Sequence, residues 1–445
     1  MSTDYKSESF RKLLDKLQQE SWQLELLVSG FVIFGLFAAV DKLQEPINRT
    51  SIEGQVLISI FMITLLVSCY SIILNLILHL ILRGLWIGAL GLRYVSGDID
   101  FEVLNYNKKF TKYLKKRIVS FDKYLATLEN TCSVLFAISF LLVFYLISFF
   151  IISLLFAAIT FFVFKNDSFS ELTQQFLGYS LLILLAIGVL FTFLDSLTVG
   201  YFKRNRYIAK IYYPIYYIFS FITLSFLYRS IVHNFIDNKF GKKIFKLLIP
   251  VYIIILFITN IEYQVSNYIG TNSFKRINMD IVMSRNSYEN NLEDNKDLVK
   301  VTSIPSKIIN SNYLNLFHTY NGKTEDHIFA YDSTMLPKKD ERGYFLGLFR
   351  LGEDTDSIIK VKKEKARQYL CTFNQSHQIL IDTISFPSDF LISYNKKEQL
   401  GFETVLNLKN LSEGKHILYL KRLERNNQDS LITKEVSTIP FWYYK

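Results

Sequence analysis

The sequence predicts an α-helical multi-span membrane bundle of five or six transmembrane helices, followed by a C-terminal all-β, sandwich-like soluble domain. Cys132 to Phe164 contains no charged side chain, and five further apolar segments occur before residue 262. About 20 apolar residues cross the hydrocarbon core of a bilayer, so each segment is a candidate span. Beyond residue 262 the pattern changes to short strand-like runs between turn-forming residues, which is typical of an antiparallel sandwich.

The apolar segments define a polytopic membrane domain over residues 23–262, and residues 1–22 are predicted to form an amphipathic interfacial helix. The segments lie at about residues 24–40, 56–82, 132–164, 177–199, 211–227 and 244–261. The fifth contains Pro214 and many tyrosines, and basic residues flank it on both sides. We interpret it as a re-entrant or interfacial hairpin, although a literal count gives six spans.

A basic amphipathic helix is predicted between the second and third segments, at about residues 107–129. Apolar residues recur there at steps of three and four, and basic residues crowd the same stretch. The basic residues expected to face lipid are Lys108, Lys109, Lys112, Lys115, Lys116 and Arg117. We interpret this helix as a determinant of topology on the cytoplasmic leaflet, and a sensor of lipid headgroups is the alternative.

The distribution of Lys and Arg predicts which side of the membrane each part occupies. The flanks of the first four segments place the N-terminus in the cytoplasm. The sixth segment has Lys243 and Lys246 before it and Glu262 after it, so residues 263–445 are expected to be extracytoplasmic. If 211–227 crosses the membrane, the opposite side follows. The abundance of Asn, Lys and Ile suggests a bacterial inner membrane protein.

A polar stripe runs along the second segment and is the strongest candidate for an intramembrane site. Its members follow one another at steps of three or four residues, which places them on one face of a helix. The stripe consists of Thr64, Ser68, Ser71, Asn75, His79 and Arg83. Polar residues that face lipid are costly, so the stripe should face other helices or water. Hydrogen bonding between helices is one explanation, and a proton or solute pathway is the other.

Two acidic residues, Glu25 and Asp195, lie inside apolar segments. An intramembrane carboxylate suggests a functional site. Both residues are also within a turn or two of a predicted membrane surface. We therefore expect each to be an interfacial residue paired with Lys or Arg, and a functional acid is the alternative.

Charge and motifs exclude several classes of protein. Residues 263–445 carry 25 basic and 22 acidic side chains, so most of the net charge of +10 lies beside the bilayer, where it fits membrane lipids better than nucleic acid. We recognise no nucleotide-binding, hydrolase or metal-site motif, so we expect no cofactor and no metal, and the chain is interpreted as more consistent with a non-enzyme.

The spacing of Gly84 and Gly88 favours close packing between helices of the same chain. A homo-oligomer remains an open alternative.

The soluble domain is predicted over residues 263–445, with one basic helix interrupting its strands between Lys360 and Tyr369. The predicted strands are Val299–Ile304, Tyr313–Thr319, His327–Tyr331, Tyr344–Leu351, Gln378–Ile384, Phe390–Tyr394, Phe402–Leu408, His416–Leu423 and Leu431–Val436. Leu408–Leu420 resembles the strand, tight turn and strand near the end of an immunoglobulin-like module. We expect this domain to bind or sense an envelope ligand or a protein partner. The alternative is a transporter or channel that uses the polar stripe.

Overall fold

The computed structural model of the chain describes residues 8–96, 99–118, 120–164, 170–198, 200–237, 282–337, 356–425 and 430–445, and the single positions 243, 250, 253, 254, 340 and 342. The chain divides into two compact units. The first comprises Met1–Asp41 and Thr64–Ile261, and the second comprises Lys42–Ile63 and Glu262–Lys445. The segment that connects the first two helices therefore belongs to the same unit as the C-terminal domain.

The first unit is built from helices. They are α1 (Glu8–Ile52), α2 (Val56–Ser96), α3 (Lys108–Arg117), α4 (Phe121–Ile159, continued by a π-helical turn at Thr160–Phe164), α5 (Glu171–Leu197), α6 (Tyr201–Arg204), α7 (Arg206–Ile222) and α8 (Ser225–Asp237). Within the described residues, four helical stretches are long and apolar enough to cross a membrane, those of α1, α2, α4 and α5. The structure thus supports a helical membrane base followed by a strand-rich region.

The helices at the start of the chain and before α4 differ from the predicted ones in their bounds. α1 runs without a break from Glu8 to Ile52, so residues 8–22 are not a separate helix. The single basic helix predicted at about 107–129 is wrong in its extent, because α3 ends at Arg117 and α4 begins afresh at Phe121. Ser120 causes the restart, since its hydroxyl accepts a hydrogen bond from the Lys123 backbone N–H and caps α4.

The segment predicted as a re-entrant or interfacial hairpin is sharply bent. α7 and α8 meet at 114° across a short break, which makes them a broken span or a re-entrant pair and gives up to five spans within the described residues. Leu224 in the break has a φ of +52°, a left-handed backbone conformation that residues other than glycine rarely adopt. The sixth predicted span, 244–261, lies outside the described residues except for three single positions.

The second unit contains two sheets. Its strands are β1 (Thr302–Ser303), β2 (Ile308–Ile309), β3 (Tyr313–Thr319), β4 (His377–Ile381), β5 (Ile384–Phe386), β6 (Leu391–Tyr394), β7 (Leu400–Asn407), β8 (Gly414–Arg425) and β9 (Leu431–Tyr443). One sheet has the order β1-β3-β7-β6 and the other the order β2-β9-β8-β4-β5. The segment Leu408–Leu420 passes from one sheet to the other rather than forming a hairpin, since β7 and β8 belong to different sheets.

The two sheets share one hydrophobic core. Leu316 and Phe402 of the four-stranded sheet are buried in the same cluster as Leu418 and Ile439 of the five-stranded sheet. Alternate residues of β7 and β8 are buried, as expected for strands with one face on a core. Phe373 of a helix completes the cluster, with its ring centroid 3.8 Å from that of Phe402.

The C-terminal domain, predicted to be all-β, also contains two helices. α10 (Asp356–Ser376) contains the predicted basic helix and supplies Phe373. α9 (Thr324–Tyr331) replaces the strand predicted at His327–Tyr331, so that prediction is wrong. Glu325 and Asp326 lie in the first turn of α9, where carboxylates interact favourably with the helix dipole. The predicted strand Tyr344–Leu351 lies outside the described residues.

Two histidines are buried in this core and held in the neutral form. Burial is the main cause that lowers the pKa of His318 to about 3 and that of His377 to about 4. His377 Nδ1 lies 2.8 Å from the carbonyl oxygen of Phe373, to which it donates, and Nε2 is buried without a hydrogen-bond partner within the described residues. The two ring centroids are 5.7 Å apart, so two positive charges would repel each other.

We expect acid to destabilise the C-terminal domain. Between pH 6.5 and about 4 the unfolded chain binds protons that folded His318 and His377 do not, so stability is present above this window and is lost as the pH falls through it. The slope is up to about 1.4 kcal/mol per pH unit for each histidine. Hydrogen exchange of buried β4 and β8 amides across this range measures it. His377→Asn should roughly halve the slope, and an unchanged slope would contradict this explanation.

Candidate functional site

A cluster of buried polar residues joins α1 to α2. Ser29 Oγ of α1 lies 3.2 Å from His79 Nδ1 of α2. On the other side of the ring, His79 Nε2 lies 3.5 Å from Glu25 Oε2, and Arg83 Nη2 approaches the same oxygen at 3.3 Å. His79 is fully buried, the Arg83 side chain is 3% exposed and the Glu25 side chain is 13% exposed. The predicted acid of α1 therefore pairs with the basic end of the polar stripe.

An aromatic ring packs against the Arg83 guanidinium of this cluster. The Arg83 guanidinium lies 4.6 Å from the centroid of the Trp86 ring, and the Trp22 and Trp86 centroids are 6.5 Å apart. Stacking on an aromatic face stabilises a guanidinium that has left water. Within the described residues Arg83 Nε and Nη1 have no hydrogen-bond partner, and Glu25 and Trp86 both stabilise the charge of the guanidinium. The arrangement holds a charge pair between two helices.

The remainder of the stripe divides into two parts. Asn75 Nδ2 donates to the Leu135 carbonyl oxygen at 2.8 Å and lies 2.7 Å from Ser139 Oγ, so this amide joins α2 to α4. Ser68 Oγ donates to the Thr64 carbonyl oxygen at 2.8 Å, and Ser71 likewise bonds a carbonyl of its own helix. The structure thus brings Asn75, His79 and Arg83 against neighbouring helices, whereas the hydroxyls of Ser68 and Ser71 bond to the backbone of their own helix.

The second predicted acid, Asp195 of α5, lies at the junction of α5, α6 and α7. Lys203 Nζ is 2.9 Å from Asp195 Oδ2, and the Tyr212 hydroxyl donates to the same oxygen at 3.2 Å. The Asp195 side chain is 5% exposed and that of Lys203 is 35% exposed. The pairing with Lys203 agrees with an interfacial acid, yet Asp195 also lines a cavity of about 80 Å³ that extends to α8.

The basic residues predicted to face lipid all lie on α3 and are all exposed. Phe110 and Tyr113 on the same helix are 66% and 59% exposed, and none of its residues is buried. Exposed aromatic and basic side chains on one short helix suit the headgroup region of an anionic bilayer. This helix provides the candidate lipid contact.

A groove of about 660 Å³ lies in the C-terminal domain between α10 and the β5–β6 connection. Its walls include Arg367, Cys371 and Asn374 from the helix and Ser388 and Asp389 from the connection. The Asn374 side chain accepts from the Phe390 backbone N–H at 2.9 Å and donates to the Phe390 carbonyl oxygen at 3.2 Å, which fixes the two walls. A groove of this size accommodates a small molecule or a short polymer segment.

The α1–α2 connection contacts the C-terminal domain within the second unit. Asn48 Nδ2 donates to the Lys296 carbonyl oxygen at 3.0 Å. Arg49 donates to the carbonyl oxygens of Lys397 at 3.1 Å and Glu398 at 3.4 Å. We call this set of bonds, together with Gly54 and Gly322, the connection contact.

Glycine is required on both sides of the connection contact. Gly54 has a φ of +73°, and a Cβ built on it would lie 3.0 Å from the Cα of Gly322. A Cβ on Gly322 would lie 2.6 Å from the Glu53 carbonyl oxygen. The two backbones therefore approach closely, because neither residue has a side chain. Sequence reasoning missed these residues, since a Gly in a turn and an Asn near a helix end are common in any chain.

Comparison of the chain with models of known protein families, with characterised proteins and with solved structures gave no match. Within the described residues no group of three or more His, Cys, Asp or Glu side chains could hold a metal ion. The function of the chain therefore has to be argued from its own geometry.

We expect the buried charge pair to be strongly coupled. Glu25→Gln leaves the buried charge of Arg83 without a counter-ion, and Arg83→Met leaves the charge of Glu25 without one. Each substitution should therefore lower the free energy of unfolding of the helical unit by about 3–5 kcal/mol. The double variant Glu25→Gln with Arg83→Met should recover most of this loss, because no uncompensated charge remains. Unfolding in detergent measures all three, with Ser71→Ala as a control that bonds only its own helix. Additive losses would contradict the pairing.

Proposed function

We propose that the chain is an inner-membrane binding or sensing protein whose C-terminal domain takes an envelope ligand in the groove between α10 and the β5–β6 connection. The groove is the observation that carries this proposal. It combines apolar and polar walls, which suits recognition of a ligand with defined orientation. Asn374 and Phe390 fix the walls relative to each other, so the site is preformed.

The connection contact supports the sensing part of the proposal. Asn48 and Arg49 lie near the end of α1, and Gly54 lies just before α2. A displacement of the domain backbone at Lys296 or Lys397 would shift the connection between these two helices, because the hydrogen bonds from Asn48 and Arg49 end there. The same two helices carry the Glu25–His79–Arg83 cluster in their interiors, further from this connection.

The connection contact also supports an extracytoplasmic domain. A segment bonded to the α1–α2 connection must lie on the same side of the bilayer as that connection. With a cytoplasmic N-terminus, as the basic flanks favour, α1 places this connection outside. α2, α4 and α5 then return the chain to the cytoplasm, so a single further crossing reaches the domain. If residues 244–261 provide this crossing, as their sequence predicts, the count favours a re-entrant α7–α8 pair over a span.

The alternative function, a transporter or channel that uses the α2 stripe, has less support. A pathway requires polar groups that face a continuous aqueous route. Ser68 and Ser71 bond carbonyl oxygens of α2 itself, and Asn75 is buried against α4. These contacts favour helix packing over conduction.

Filling the groove should abolish ligand binding. Ser388→Trp places a large side chain in the groove. The full-length variant, immobilised and exposed to a solubilised envelope fraction, should therefore retain at least tenfold less envelope material than the wild-type protein. Thr433→Trp, an exposed position of β9 outside the groove, is the matched control. Equal retention by both variants, or full function of residues 1–262 alone, would contradict the proposal.

Sidedness is tested by chemical labelling. Cys371 is exposed, so in intact spheroplasts it should react with a membrane-impermeant maleimide. In a protein that carries Cys371→Ser, a cysteine introduced by Lys109→Cys on α3 should react only after the membrane is permeabilised. The reverse pattern would place the domain in the cytoplasm and make α7–α8 a true span.

A further inference from the structure

The cavity beside Asp195 has the chemistry of a site for a positively charged ligand. Asp195 Oδ2 is occupied by Lys203 and Tyr212, whereas Oδ1 is buried and has no hydrogen-bond partner among the residues that the structure describes. An unsatisfied carboxylate oxygen in a buried site is costly, and a cation or a hydrogen-bond donor would satisfy it. Asp195 lines the cavity, and an ammonium group that enters it has three N–H donors to offer to the carboxylate.

The walls of this cavity are aromatic and hydroxylated. Four tyrosines line it, and they are Tyr145, Tyr212, Tyr216 and Tyr228. Thr223 in the α7–α8 break and Ser225 at the start of α8 also line it. Tyrosine faces attract ammonium groups, and a carboxylate beside them completes a recognition site for such groups. Its volume of about 80 Å³ exceeds the roughly 30 Å³ that one water occupies in the liquid.

The protein already holds an ammonium group at this position. Lys203 Nζ lies 2.9 Å from Asp195 and 4.3 Å from the centroid of the Tyr216 ring. The Lys203 ammonium thus makes the two contacts that a small ammonium ligand would make, one to a carboxylate and one to an aromatic face. With 35% of its side chain exposed, Lys203 remains close to water and can leave without crossing the core.

We propose that this cavity binds a small primary ammonium compound, which takes the place of the Lys203 ammonium on Asp195. Exchange of one ammonium for another leaves the charge of the cavity unchanged. Addition of a second cation beside Lys203 would be unfavourable, because the cavity wall already includes the positive charge of Arg229 on α8. Lys203 is thereby a tethered competitor that sets the affinity of the site. This site is independent of the groove in the C-terminal domain.

Ethylammonium chloride is a direct probe of the site, with sodium chloride at equal ionic strength and ethanol as controls for charge and shape. The full-length protein in nanodiscs should show saturable ethylammonium binding by saturation-transfer NMR. Lys203→Ala should bind at least tenfold more tightly, because the tethered competitor is gone. Asp195→Asn and Tyr216→Leu should each weaken binding about tenfold or more, whereas Lys210→Ala, an exposed lysine of α7 outside the cavity, should not change it.

Three results would overturn the proposal. The first is binding by Lys203→Ala but not by the wild-type protein, which would make Lys203 a structural counter-ion that ethylammonium merely replaces. The second is equal binding by the wild-type protein and Asp195→Asn. The third is the absence of ethylammonium binding in every variant. If Asp195→Asn fails to fold, the comparison of Tyr216→Leu with the wild-type protein decides in its place.

Discussion

The need to neutralise every charge that leaves water governs the helical unit. Glu25 and Asp195 are acids in apolar helices, and each has a basic partner within 3.3 Å. The surroundings of the two ion pairs differ, however. Arg83 is buried against Trp86 and holds Glu25 between two long helices, so that pair is suited to fixing their packing. Lys203 is partly exposed beside a cavity, so that pair is suited to exchange.

The connection contact gives the C-terminal domain a defined attachment. Hydrogen bonds from Asn48 and Arg49 end on backbone carbonyl oxygens, and Gly54 meets Gly322 without intervening side chains. The backbone acceptors do not depend on the side chains of their residues, whereas the approach of Gly54 to Gly322 leaves no room for a Cβ. Under the proposed function, the helices α1 and α2, which meet at this connection, carry a signal from the domain.

Hydropathy and periodicity were sufficient for the coarse fold and for much of the strand pattern. Tyr313–Thr319 is a strand with the predicted bounds, because alternation and flanking turn residues both report local structure. The His327–Tyr331 error arose because a short apolar run reads alike in a strand and in a helix. Break points such as Ser120 and Leu224 depend on single caps and backbone angles. Partners such as Lys203 for Asp195, and Ser29 for His79, depend on tertiary packing that one sequence does not reveal.

The C-terminal domain is hydrogen-bonded to the α1–α2 connection, and we propose that it lies on the same side of the membrane as that connection. Cross-linking tests it most directly. Asn48→Cys combined with Lys296→Cys, treated in native membranes with a short bis-thiol reagent, should give an intramolecular cross-link that neither single variant forms. A folded protein in which both thiols react separately with maleimide but never cross-link would contradict the claim.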